Sequence, residues 1–276
     1  MTVRITTLTE NTAQLGFLAE RGLSILVETE SSKVLLDTGL GVSAIYNADL
    51  MGIDLSTIDK IVLSHAHTDH TGGLRDVLRR MRKDVEVIAH PDIWIPKYVQ
   101  YGEKSRYVGI PYMRDELESL GASFNLTKEP YRINADIMTT GEIEMTTDFE
   151  KIDDRLCVNE GGRMTPDPLA DDLALIVRTG VGLTLITGCA HRGIVNTVRH
   201  VRKLTGGDYI HTIIGGTHLL LSSQERIEKT ASELKELGLV RLGVSHCTGF
   251  NASAALAREF GEVFFLNNAG ARLVLD

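Results

Sequence analysis

Ile61-Val62-Leu63-Ser64-His65-Ala66-His67-Thr68-Asp69-His70-Thr71-Gly72-Gly73-Leu74 is the stretch on which the reading of this chain turns. Its apolar opening reads as a strand. Residues two apart on an extended segment project to the same side, so His65 and His67 can converge on one point. Asp69 and His70 fall where the chain bends toward a helix beginning near Leu74, and they can reach a second point beside the first. Imidazole suits zinc and other late first-row metals, and a carboxylate adds a harder oxygen ligand. The plain alternative is three solvated or hydrogen-bonded histidines in a loop. Four metal-capable side chains within six residues, directly after an apolar strand, favour a metal loop.

Outward from this stretch, the HxHxDH pattern resembles the signature of the metallo-β-lactamase superfamily, and further segments resemble its other motifs in order. Val34-Leu35-Leu36-Asp37-Thr38-Gly39 looks like the first motif, a strand ending in an Asp that supports the metal loop. Thr187-Gly188-Cys189-Ala190-His191 looks like the third and Val244-Ser245-His246-Cys247 like the fifth. Glu10-Asn11, Glu20-Arg21-Gly22-Leu23-Ser24, the run from Gly188 to Asn196, Gly215-Gly216-Thr217-His218-Leu219 and His246-Cys247-Thr248-Gly249 resemble one branch. That branch holds metal-dependent hydrolases together with the archaeal 7,8-dihydropterin-6-methyl-4-(β-D-ribofuranosyl)aminobenzene-5'-phosphate synthase. The similarity extends over essentially all 276 residues.

The resemblance implies an α/β (α+β) fold, the αββα four-layer sandwich with two mixed β-sheets. It implies two divalent metal ions, one held by His65, His67 and His191, the other by Asp69, His70 and His246, with Asp37 orienting the loop. Redox members that hold di-iron carry Glu where His67 stands, so zinc is favoured here, with manganese, iron or magnesium as other occupants. One departure stands out. The superfamily's late strand ends in an Asp that bridges the metals, whereas Ile210-His211-Thr212-Ile213-Ile214 runs into Gly215-Gly216-Thr217-His218. His218 either takes over part of that role or handles substrate.

Two chemistries follow. In the first, a dinuclear hydrolase cuts an ester, lactone or phosphoester through a metal-bound hydroxide, with Asp69 orienting the nucleophile or accepting a proton. In the alternative, a transferase of methanopterin biosynthesis joins a dihydropterin-methyl diphosphate to a ribofuranosylaminobenzene phosphate and releases diphosphate.

A formal charge of -8 argues against a nucleic-acid surface, whose footprint is a basic patch. The N-terminus alternates like a strand without an apolar signal core, and no window approaches a membrane span. Cys157, Cys189 and Cys247 form no disulfide framework, which points to a reducing, cytoplasmic setting; small buried residues are the first reading for Cys189 and Cys247. Strands and helices interleave along one domain spanning 1–276, except between 91 and 170. That stretch holds Trp94, five tyrosines, and Lys97, Lys104, Arg106 and Arg114. It reads as an insertion or lid over the site, its basic residues binding a small, phosphorylated or otherwise anionic substrate.

Overall fold

The computed structural model describes residues 2–276. A seven-stranded sheet runs in the order Arg272–Leu275, Val3–Thr9, Ser24–Glu28, Lys33–Leu36, Lys60–Val62, Val85–Ala89 and Ala122–Leu126. Its first three pairings are antiparallel, while the last four strands are mutually parallel. A six-stranded sheet runs Phe264–Leu266, Arg241–Ser245, Ile210–Gly216, Gly182–Thr187, Ala174–Thr179 and Ile137–Thr139, the first four parallel and the rest antiparallel. Both sheets are mixed.

Side-chain alternation along the strands builds the layers. In Ser24–Glu28, Ile25 and Val27 enter a core shared by both sheets, while Leu26 faces the opposite way. Val34 and Leu36 likewise point inward and Leu35 outward. The shared core is completed from the six-stranded sheet by Ile137, Leu175, Val177, Ile186 and Ile214. The helices Ser43–Leu50 and Leu74–Met81 cover the outer face of the first sheet, and Ile194–Leu204, Gln224–Lys235 and Phe250–Phe260 cover that of the second. Helix, sheet, sheet, helix is the αββα arrangement.

The stretch 91–170 divides among three places. Ala122–Leu126 extends the first sheet and Ile137–Thr139 the second, so these strands belong to the sandwich itself. Lys97–Tyr101, Lys104–Tyr107, Leu156–Glu160 and Arg163–Pro166 form a separate antiparallel sheet, in the order Arg163–Pro166, Leu156–Glu160, Lys97–Tyr101, Lys104–Tyr107. The Gly-rich run after Glu160 is the turn of a hairpin in this accessory sheet. Among the described residues, no helix is long and apolar enough to cross a membrane.

Candidate metal centre

Ligands in open sheets gather beyond the carboxyl ends of parallel strands, and this chain does so from both sheets at once. Lys33–Leu36 delivers Asp37 and Lys60–Val62 leads into the metal loop. From the other sheet, Gly182–Thr187 ends before Cys189 and His191, Ile210–Gly216 before His218, and Arg241–Ser245 before His246. The two halves meet closely: a Cβ on Gly188 would collide with the Ser64 hydroxyl. Six non-glycine described residues have positive φ, and four of them, Asp37, Ala190, His218 and His246, lie in this centre. Backbone strain of this kind collects where a site dictates side-chain direction.

Two groups of donor atoms result. His65 Nε2 lies 3.1 Å from His67 Nδ1 and 3.3 Å from His191 Nε2. His70 Nε2 lies 3.2 Å from both His246 Nε2 and the Cys189 sulfur, and Asp69 Oδ2 is 3.6 Å from His246 Nε2. A tetrahedral ion with bonds of ~2.0–2.1 Å to nitrogen holds its ligand atoms about 3.3–3.4 Å apart. Three imidazole nitrogens converging at that spacing cannot all satisfy one another with hydrogen bonds. The donor set therefore fits a metal ion. Donor atoms that all lie within 4.8 Å of one another form two tighter groups, His65 with Cys189 and His191, and His70 with Cys189 and His246. Cys189 is shared between them and stands where a shared ligand would; among the described residues His67, Asp69 and His218 belong to neither tight group. The sequence reading took Cys189 first as a small buried residue; its i, i+2 spacing from His191, which repeats that of His65 and His67, is the signal that could have pointed to it.

The surroundings fix each ring. Asp37, fully buried, accepts from the Ser64 backbone N–H, the Ser64 hydroxyl and His70 Nδ1, each at 2.7 Å. The Ser64 hydroxyl in turn touches His65 Nδ1 at 2.8 Å. Asn11 Oδ1 receives His246 Nδ1 at 2.8 Å, and Glu10 accepts the His246 backbone N–H. Carboxylate or carbonyl partners of this kind orient metal-ligating histidines.

Burial keeps most of these imidazoles neutral, the form that ligates. It holds His65 and His191 well below their ordinary value, His67 at about 4 and His246 at about 3. For His70 burial works the same way, but the Asp37 carboxylate beside it lifts it to about 9. A metal entering here has to displace that proton. Burial would raise Asp69, yet His70, His246, His67 and Arg21 hold it far below the usual carboxylate range. Arg21 Nε lies 3.1 Å from its Oδ2.

Asp172 is a buried carboxyl nearby, accepting the Arg192 backbone N–H with Oδ2 while Oδ1 has no partner. Burial pushes it up to about 7 from the ordinary 3.8. The folded state thus resists an ionisation that the unfolded chain undergoes freely. The penalty is absent at low pH, grows as pH rises between those two values, and is complete above them. In metal-free protein, Asp172→Asn is expected to raise Tm more at about pH 8 than at about pH 5. Equal shifts in a melt series at both pH values would contradict this.

The sequence-derived substrate cations fare differently. Lys97 is a correction: it is 1% exposed, its ammonium 2.8 Å from both Asp167 Oδ2 and Asp171 Oδ1, so it has no face for substrate. Lys104 and Arg106 are exposed on the accessory hairpin, and Arg114 is exposed and paired with Glu118. None of the four lines the cavity of about 730 Å³ that opens beside His218. That cavity is bounded by Lys151, Asp153, Arg155 and Arg226, among others, which the sequence reading did not single out. The His218 ring packs 4.0 Å from that of His191, so one side chain separates the metal centre from the cavity.

The sequence description of the metallo-beta-lactamase superfamily matches residues 19–215. The chain belongs to this superfamily. It is 35% identical, over 97% of its own length and 95% of the relative's, to the 7,8-dihydropterin-6-methyl-4-(β-D-ribofuranosyl)-aminobenzene-5'-phosphate synthase of Methanocaldococcus jannaschii. An uncharacterized protein of the same archaeon is 32% identical over 91% of this chain and 93% of that one. A crystal structure described as a metal-dependent hydrolase of the β-lactamase superfamily superposes with a TM-score of 0.86 at 32% identity, covering 98% of both chains. Metal binding is general in the superfamily, and the two histidine-cysteine groups are this member's candidate positions for it.

Proposed function

We propose that this chain holds two divalent metal ions, zinc by preference, and uses them in the synthase reaction rather than in simple hydrolysis. His65, His67 and His191 would hold one ion and Asp69, His70 and His246 the other, with the Cys189 sulfur within reach of both positions. In the reaction, the arylamine of a ribofuranosylaminobenzene phosphate attacks the methylene of a dihydropterin-methyl diphosphate. A C–N bond forms, the C–O bond to diphosphate breaks, and the amine loses a proton. The observation that carries this reading is the end-to-end similarity to the archaeal synthase. When bound, the cations supply Lewis acidity that stabilises negative charge on a departing oxyanion.

The chain's own residues supply the rest. Burial holds His218 at about 4, so its imidazole is neutral at the wall between centre and cavity and can accept a hydrogen bond from a bound group there. The cavity lining carries both signs, Lys151, Arg155, Arg226 and Lys229 against Asp148, Asp153, Asp154 and Glu225. Such a lining suits a ligand that combines phosphate with a heterocycle edge rich in N–H donors. Its volume is in the range of sites that enclose a small ligand.

The similarity to a solved structure described as a hydrolase favours a second reading, cleavage of an ester, lactone or phosphoester. Zinc-reconstituted protein offered the dihydropterin diphosphate with and without the arylamine, alongside esters, lactones and phosphodiesters, separates the two. Coupled product that requires the amine supports the synthase. Hydrolysis with no coupling overturns it in favour of the second reading. In either reaction His218→Ala is expected to keep its full metal complement and lose about 10²-fold in kcat. Loss of an ion from this variant would instead make His218 a ligand.

A further inference from the structure

We infer that Lys97 is a positioning residue for the metal loop: through Asp171 it holds the Ala66 amide, and with it the turn that aims His65 and His67 at one ion. The inference rests on the two-ion reading above and goes beyond it, because it ties the accessory sheet to the metal centre. Asp171 is fully buried and divides its two oxygens: Oδ1 accepts from Lys97 Nζ and Oδ2 from the Ala66 backbone N–H, each at 2.8 Å. Ala66 sits between the two histidines, so a shift of its amide turns both rings. Lys97 also reaches Asp167 Oδ2 at 2.8 Å, and Asp167 Oδ1 accepts the Leu169 N–H. The lysine thereby closes the segment that carries Asp171.

The chain leaving the hairpin that begins at Lys97 grips the loop a second way. Val108 N–H donates to the Lys97 carbonyl, Thr68 N–H donates to the Val108 carbonyl, and the Thr68 hydroxyl donates to that of Gly109. The accessory sheet is thus a buttress behind HxHxDH. A buried ion pair contributes little net stability compared with apolar side chains of similar size, so stability alone does not explain a lysine here. Placement does: the fork of Asp171 needs one cationic donor and one amide donor at fixed positions. The trio of one ammonium and two carboxylates also leaves a negative charge one hydrogen bond behind a loop that receives cations.

The test is zinc affinity by competition with a chromophoric chelator. It uses wild type, Asp171→Asn, Lys97→Met and Lys97→Met/Asp167→Asn; the double variant keeps the trio's net charge and covers the case in which Lys97→Met alone does not fold. Repeating each in a His246→Ala background reads the first ion by itself. The expected result is a loss of about 10–100-fold at the first site, with the second site within about threefold of wild type and the metal-free double variant folded. Wild-type affinity at the first site in the folded double variant would overturn the inference. So would equal losses at both sites accompanied by a lowered Tm, which is what a purely structural staple produces. A wild-type protein that takes up no zinc would overturn the two-ion reading itself, and this one with it.

Discussion

His191→Ala is expected to bind a single ion tightly where the native chain binds two, and to lose turnover on the order of 10⁴-fold. His191 Nε2 lies 3.3 Å from His65 Nε2, and its ring centroid is 4.8 Å from those of both His65 and His67. Without it the first ion keeps two nitrogens from the loop and whatever Cys189 offers. A catalytic zinc normally has three protein ligands and one open position. Two loop nitrogens with a thiol shared with the neighbouring ion make a weak site that a chelator empties. The variant should still fold, since a buried imidazole is exchanged for a smaller side chain in a centre without other partners for its Nδ1. Metal analysis after dialysis against a chelator, followed by single-substrate kinetics, reads both effects. Two retained ions with native turnover would remove His191 from the centre.

Asp37→Ala is expected to cost about 3–5 kcal/mol of folding stability in metal-free protein, the scale of breaking a buried charged pair from one side. The carboxylate has no exposed surface and receives the Ser64 N–H, the Ser64 hydroxyl and His70 Nδ1, all of which would be left in a dry interior. The substitution also puts alanine at φ 58, where only glycine, asparagine and aspartate sit readily. Asp37→Asn separates the two contributions, because it tolerates that backbone and can still accept the Ser64 N–H, yet lacks the charge that lifts His70. Urea denaturation should place it between native and alanine. A loss under about 1 kcal/mol for the alanine variant would contradict the buried pair as a determinant of stability.

Much of this could be read before the coordinates. The strands read at the N-terminus, ahead of Asp37, ahead of His65 and at Ile210–Ile214 are all present, because their apolar side chains enter cores that leave a trace in the sequence. The histidines were legible for a local reason as well, since HxHxDH concentrates donors within one turn of chain. Lys97 was not. Its partner Asp171 lies 74 residues away, and a lysine that meets two carboxylates only after folding looks in sequence like any surface cation. The accessory sheet escaped for a similar reason: its strands pair across Lys97–Tyr101 and Leu156–Glu160, with two strands of the main sandwich intervening in the chain. Cys189 was visible as a residue beside a ligand. Its place between both donor groups depends on how closely the two sheets approach at Gly188.

That approach has a mechanical consequence. Every donor of the first half comes from the loop after Lys60–Val62, and every donor of the second comes from the six-stranded sheet. An ion between His65 and His191 closes a chain loop of 126 residues, and one between His70 and His246 closes 176. The cations would then act as rivets across the seam, withdrawing from the unfolded chain the freedom that a long covalent cross-link withdraws. Removing them should change how the molecule comes apart more than what it looks like. Opening along the shared core becomes an accessible excursion, and a protease given time should cut chelated protein far faster than loaded protein, even where the two are equally folded at equilibrium.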